Sequence, residues 1–126
     1  MKKIITTPNA PAPIGPYSQA VLVGNTLYTS GQIAINPKTN ALVLDDIKTE
    51  TKQVMENLKA ILSAANMDFN NVIKSTIFII NMDDFASINN IYGSYFDDTN
   101  APARETVQVA RLPKDVNVEI SVISVK

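Results

Sequence analysis

Arg104-Glu105-Thr106-Val107-Gln108-Val109, together with the later run from Val116 to Val122, decides how this chain is read. A period of two puts Arg104, Thr106 and Gln108 on one face of an extended strand and Val107 and Val109 on the other. The second run repeats the alternation, with Val116, Val118, Ile120 and Val122 on one side and Asn117, Glu119 and Ser121 on the other. If these two strands pair as a hairpin, Arg104 and Glu119 share a polar face and a guanidinium stands beside a carboxylate.

Working outward, Val72 to Ile80 is a β-branched run, apolar on both sides at its end, which suggests a strand buried within the sheet. Asp83-Asp84 opens a helix carrying Phe85, Ile88, Ile91, Tyr92, Tyr95 and Phe96, weakened locally by Gly93. The aromatic group at 92, 95 and 96 has helical spacing and is most simply core. From about Asp46 to Asn66, Ile47, Val54, Leu58, Ile61, Leu62 and Ala65 recur at helical spacing; Asp45 or Asp46 can cap this helix, and Glu50 suits the positive end of its dipole. Asn36-Pro37-Lys38-Thr39-Asn40 is a turn, and Val21, Val23, Leu27 and Thr29, broken by Gly24-Asn25, form a tight hairpin. The order strand, strand, helix, strand, helix, strand, strand gives an α+β fold, a mixed sheet with two helices on one face. The other face is expected to hold Arg104, Thr106, Gln108, Glu119 and Ser121 beside Ile123 and Val125. That mixture is poorly suited to bulk water, so association of identical subunits is expected to cover it.

With 126 residues, 45% of them hydrophobic, the chain is expected to form one globular domain over residues 1–126. It has neither cysteine nor histidine, which removes disulfides, thiol nucleophiles, Ser-His-Asp triads and nearly every zinc or iron ligand set. Chemistry must run on Arg, Lys, Glu, Asp, Tyr, Ser and Thr. Net charge is −1 and no basic cluster exceeds Lys2-Lys3, so nucleic acid is a poor first guess. Met1-Lys2-Lys3-Ile4-Ile5 begins like a signal peptide, but Thr6-Thr7-Pro8-Asn9 interrupts it, and no apolar run is long enough to span a membrane; a cytoplasmic protein is expected. Lys59 and Lys74 carry no sign of the deep burial that makes a Schiff-base nucleophile, and Arg111 and Lys114 read as loop or subunit-contact residues. Ser30-Gly31 completes no phosphate loop; the glycine suits a bulge or a close approach.

Nine segments in fixed order and spacing nevertheless resemble one family. They are Ile14-Gly15-Pro16-Tyr17, Thr29-Ser30-Gly31-Gln32-Ile33, Asn36-Pro37, Asn57-Leu58-Lys59-Ala60, Met82-Asp83-Asp84-Phe85, Asn89 with Tyr92, Pro102-Ala103-Arg104, Val109 to Asp115, and Val118-Glu119-Ile120. Together they resemble the RidA (YjgF) family of reactive intermediate deaminases, also called L-PSP endoribonucleases. The resemblance implies a chorismate-mutase-like fold, a homotrimer around a central barrel with clefts between subunits, and cofactor-free hydrolysis of imino and enamine acids such as 2-iminobutanoate and 2-iminopropanoate, released by pyridoxal-phosphate dehydratases, to 2-oxo acids and ammonia.

Carried onto this sequence, the resemblance implies catalytic roles for Arg104, Glu119 and Tyr17. Arg104 would clamp the substrate carboxylate with a fork that lysine cannot reproduce, Glu119 would activate water, and Tyr17 would offer its hydroxyl. Ser30, Gly31, Asn89 and backbone groups near Thr106 would line the substrate site. Glu105-Thr106 replaces the small residue and cysteine found in many members, and strand alternation should turn Glu105 away from Arg104. The alternatives are an endoribonuclease, disfavoured by the absence of histidine, and a non-catalytic carboxylate binder or chaperone-like trimer.

Overall fold

The computed structural model describes residues Met1–Lys126, which run β1 (Lys2–Ile5), β2 (Ala20–Val23), β3 (Thr26–Thr29), α1 (Ile47–Ala64), β4 (Val72–Ile79), α2 (Phe85–Gly93), β5 (Ala103–Gln108) and β6 (Val118–Val125). The Gly24-Asn25 turn joins β2 and β3 as expected, with Gly24 at φ +58°, a conformation glycine takes without a Cβ penalty. Asp46 is the cap of α1: its Oδ1 accepts the Thr49 N–H at 2.7 Å, and that bond holds the Asp46 carboxyl below its ordinary value. β1 has no counterpart in the sequence reading. Only Ile5 of its four residues is buried, so no alternation marks it, and pairing with β2 creates it. α2 ends at Gly93, leaving Tyr95 and Phe96 beyond its last turn, where both rings pack on Phe69.

One six-stranded sheet has the order β1-β2-β3-β6-β4-β5. β4 is therefore interior, as its apolar run suggested, while β5 is an edge. β4 and β5 are parallel, and α2 supplies the crossover such a pair requires; β6 then pairs antiparallel with the opposite side of β4. This corrects the expected hairpin of β5 with β6, because a whole strand separates them. Both helices pack on one face. Val54, Leu58, Ile61 and Leu62 of α1 and Ile88 and Tyr92 of α2 form a core with Ile77, Ile79, Val118, Ile120 and Val122. The opposite face carries Phe78, Glu119, Ser121 and Ile123, with Tyr28 48% and Val107 43% exposed.

Glu50 has a further role that its place in the first turn of α1 did not reveal. It is completely buried, and its carboxylate accepts from Asn117 N (2.8 Å), Val118 N (3.2 Å) and Asn117 Nδ2 (2.7 Å), tying the start of α1 to the start of β6. Glu50→Ala would strand these donors, and we expect a loss of about 3 kcal/mol of stability, read by chemical denaturation. Glu50→Gln, which keeps one acceptor oxygen, should lose less.

Candidate active site

Register separates the two residues that sequence alternation had placed together. Arg104 lies level with Ser75 and Val122, on the helix-covered side, whereas Glu119 lies level with Phe78 and Val107, on the open side. They are offset by three residues along the strands, roughly 10 Å, and point to opposite faces. Thr106 and Gln108 accompany Arg104 to the helix side. The expectation that Arg104, Thr106, Gln108, Glu119 and Ser121 share one face is thus corrected: alternation was right within each strand, but the pairing partner that sets relative phase was wrong.

Around Arg104, α2 presents Phe85, Asn89 and Tyr92 on one stripe, at spacings of four and three. The Arg104 Cζ is 5.1 Å from the Tyr92 ring centroid and 5.6 Å from that of Phe85, and Nη1 donates to Asn89 Oδ1 at 2.5 Å. Cation–π attraction from two rings and one neutral acceptor hold the guanidinium without neutralising it. The Tyr92 hydroxyl donates to Ser75 Oγ at 2.8 Å, which fixes that ring, and burial raises the phenol's pKa. No carboxylate lies within 4.0 Å of Arg104; the chain's ion pairs are Lys74–Glu105 and Arg111–Asp115, each at 2.6 Å. Glu105 does face away and pairs with Lys74, so Arg104 has no acidic partner. The cation keeps donors free for an anion.

Edge geometry adds to this. The Val109 N–H donates to Ile79 O, so alternation directs the N–H groups of Thr106 and Arg104 away from β4, where no further strand lies. The Thr106 Oγ1, in contrast, is buried without a partner. Thr106→Val removes an unpaired hydroxyl and keeps the backbone; we expect it to be neutral to slightly stabilising, by up to about 1 kcal/mol, in thermal melts.

On the open face, Glu119 shares a cavity with Tyr17, Gly31, Gln32, Ile33, Ile35, Ile14 and Pro113. Desolvation raises the pKa of the Glu119 carboxyl above its ordinary value, and it has no hydrogen-bond partner among the side-chain bonds of the chain. Gly31 is required by close approach. A Cβ there would stand 2.8 Å from Glu119 Cδ and 2.9 Å from Oε2. Gly31→Ala must displace the carboxylate, so we expect the protein to stay folded by circular dichroism while any chemistry that depends on Glu119 is impaired about as much as by a Glu119 substitution. The Ser30 hydroxyl donates to Ser18 O at 2.5 Å, so it fastens the backbone beside Gly31 and is already committed. Tyr17 is 50% exposed, its hydroxyl accepting a long 3.4 Å bond from Ile14 N.

The candidate residues thus fall into two clusters, Arg104 with Asn89 and Thr106, and Glu119 with Tyr17, Ser30 and Gly31. Sequence reasoning missed the Phe85 and Tyr92 rings as the seat of Arg104. The signal was available: an aromatic, an asparagine and an aromatic on one stripe of the helix that crosses over to the arginine's strand. A larger hollow along α1, lined by Asn9, Lys38, Gln53, Glu56 and Lys59, contains none of the candidates and only one apolar residue. No group of three or more acidic side chains is arranged to hold a metal ion, and no helix is long and apolar enough to cross a membrane.

The chain matches known proteins over nearly its whole length. The family model Endoribonuclease L-PSP matches residues 7–126. A RutC family protein of Pyrococcus horikoshii is 54% identical over 126 residues, covering 100% of this chain and 99% of the relative. The 2-iminobutanoate/2-iminopropanoate deaminase of Salmonella typhimurium is 48% identical over 128 aligned positions, again covering 100% and 99%. The crystal structure of Escherichia coli TdcF with bound serine superposes with a TM-score of 0.93 at 46% identity, covering 98% of each chain.

Proposed function

This chain belongs to the RidA family, the one described as Endoribonuclease L-PSP, and from that premise we propose that it hydrolyses 2-imino and 2-enamino acids to 2-oxo acids and ammonia. Two observations carry the reading: an unneutralised guanidinium on the sheet edge, and on the other face a half-buried carboxylate that has no hydrogen-bond donor. The first suits the anionic end of a small acid, and the second suits a base. In one copy they face opposite sides; we propose that a second copy completes the site, its Glu119, Gly31 and Tyr17 meeting Arg104 and the outward Thr106 N–H of the first. We propose a closed trimer with three such clefts, in which the exposed Tyr28 and Val107 are covered.

In the proposed chemistry Arg104 and the Thr106 N–H hold the substrate carboxylate. Glu119 takes a proton from water, and the water oxygen attacks the C=N carbon to give a tetrahedral carbinolamine. Protonated Glu119 returns its proton to the nitrogen, giving an amino group; Glu119 then takes the hydroxyl proton and passes it to that nitrogen, so that the C–N bond breaks, ammonia leaves and the C=O bond forms. Atoms balance with one water consumed, and Glu119 ends ionised. A carboxylate whose ionised form is destabilised by burial is a better base than an exposed one. TdcF, which binds serine, shows that a relative accepts a molecule bearing a carboxylate and a nitrogen on the adjacent carbon.

RNA cleavage, the activity in the family's description, finds less support, because the chain has no histidine and its net charge is −1. The direct test generates the imine in situ with an amino-acid oxidase and traps it with semicarbazide. Adding this protein should lower the trapped product, and equal trapping with and without it would reject the activity.

A further inference from the structure

The segment from Pro8 to Ser18 carries Tyr17 and one wall of the Glu119 cavity, yet it contains no helix or strand. It needs an anchor. The amide of Gln19, 2% exposed, supplies four contacts: Oε1 accepts from Thr7 N at 2.7 Å, and Nε2 donates to Thr7 O at 3.0 Å, Ala10 O at 3.2 Å and Pro11 O at 2.9 Å. From the same residue, the backbone carbonyl accepts the Ser30 N–H at 2.9 Å, while the Ser30 hydroxyl donates to Ser18 O. Gln19 therefore ties the start of the segment, through its side chain, to the strand that leads into Gly31. Within the segment, the remaining bonds are local: Tyr17 N to Gly15 O, Asn9 N to Thr7 Oγ1 and Ile14 N to the Tyr17 hydroxyl.

We propose that Gln19 is a positioning residue that sets Tyr17 and the Pro11–Ile14 wall against Glu119, an inference that rests on the deaminase reading above. The requirement for glutamine follows from the partners. One backbone donor and three backbone acceptors face the same side chain, and only a primary amide of this length both accepts and donates there. Gln19→Glu would keep the acceptor but turn a carboxylate toward three carbonyl oxygens, and Gln19→Met would fill the volume while making none of the bonds. Within one copy Arg104 sits on the other face of the sheet, so neither change touches the rings and the asparagine that seat it.

The test uses Gln19→Met and Gln19→Glu in the full chain. In Gln19→Met we expect chymotrypsin to cut after Tyr17 at least about tenfold faster while α1 remains intact. Deaminase kcat should fall roughly tenfold with KM nearly unchanged, since misplacing a cavity wall costs rate while the carboxylate clamp survives. Adding Tyr17→Phe to Gln19→Met should cost little more, because both act on one group. Unchanged cleavage, or losses that multiply as independent effects, would overturn the proposal. If Gln19→Met does not fold, Gln19→Glu gives the same two readouts. If the wild type itself fails to deaminate imines, the deaminase reading fails by that result alone, and the chymotrypsin rate still decides whether Gln19 anchors the segment.

Discussion

Arg104→Ala is expected to lower kcat/KM for 2-iminobutanoate by about 10²- to 10⁴-fold, the equivalent of two charge-assisted hydrogen bonds of ~1.5 to 3 kcal/mol each. The magnitude depends on the guanidinium being unpaired in the resting protein. Were it already bonded to a carboxylate, the substrate would have to displace that partner and much of the gain would cancel. Instead Arg104 rests between Tyr92 and Phe85 and donates to Asn89, a neutral acceptor. Arg104→Lys keeps the charge but loses both the planar stack and the fork, and at least about a tenfold loss should remain. Stability should move little, because the side chain is only partly buried on an edge strand. Steady-state kinetics beside thermal melts separates the two effects: a collapse of the fold along with activity would mean that Arg104 is structural.

Glu119→Gln is expected to lower kcat by about 10²- to 10⁴-fold while preserving the binding of 2-oxobutanoate, which needs only the carboxylate clamp. Its effect on stability has the opposite sign. Burial raises the Glu119 pKa in the folded chain, so the native state holds this proton more tightly than the unfolded state does. The associated stabilisation is complete below the unfolded-state pKa and is lost as pH rises through the folded-state value. At neutral pH the wild type bears the cost of an ionised, partly desolvated carboxylate that glutamine does not, and Glu119→Gln should melt at a higher temperature. That advantage should shrink on acidification. A variant that is inactive and also less stable at neutral pH would argue against a desolvated base.

Most of the fold was legible because its elements are locally marked. Asp46 begins α1, Gly24 turns β2 into β3, and the apolar run of β4 announces an interior strand. What failed was relative placement. Alternation assigns Arg104 and Glu119 to faces within their own strands, but the relation between those faces depends on which strand lies between them, and β4 enters only through the α2 crossover. Edge strand β1 and the buried Glu50 were missed for a related reason: pairing and burial create their roles after the chain has assembled. The candidate site residues themselves were chosen largely through ordered motifs shared with the RidA family. The aromatic seat of Arg104 was not, since Phe85 and Tyr92 look like ordinary core positions until the following strand brings a cation beneath them.

The central claim is that one copy's Arg104 works with another copy's Glu119, and mixing two inactive variants tests it most directly. Arg104→Ala and Glu119→Gln proteins, each inactive alone, are dissociated, combined in equal amounts and allowed to reassemble, with mixed oligomers verified by mass spectrometry. A cleft that draws one residue from each of two neighbours should regain both wild-type groups in about one quarter of sites under random assembly, restoring about that fraction of wild-type kcat. Mixed oligomers that form and remain inactive would contradict the shared cleft.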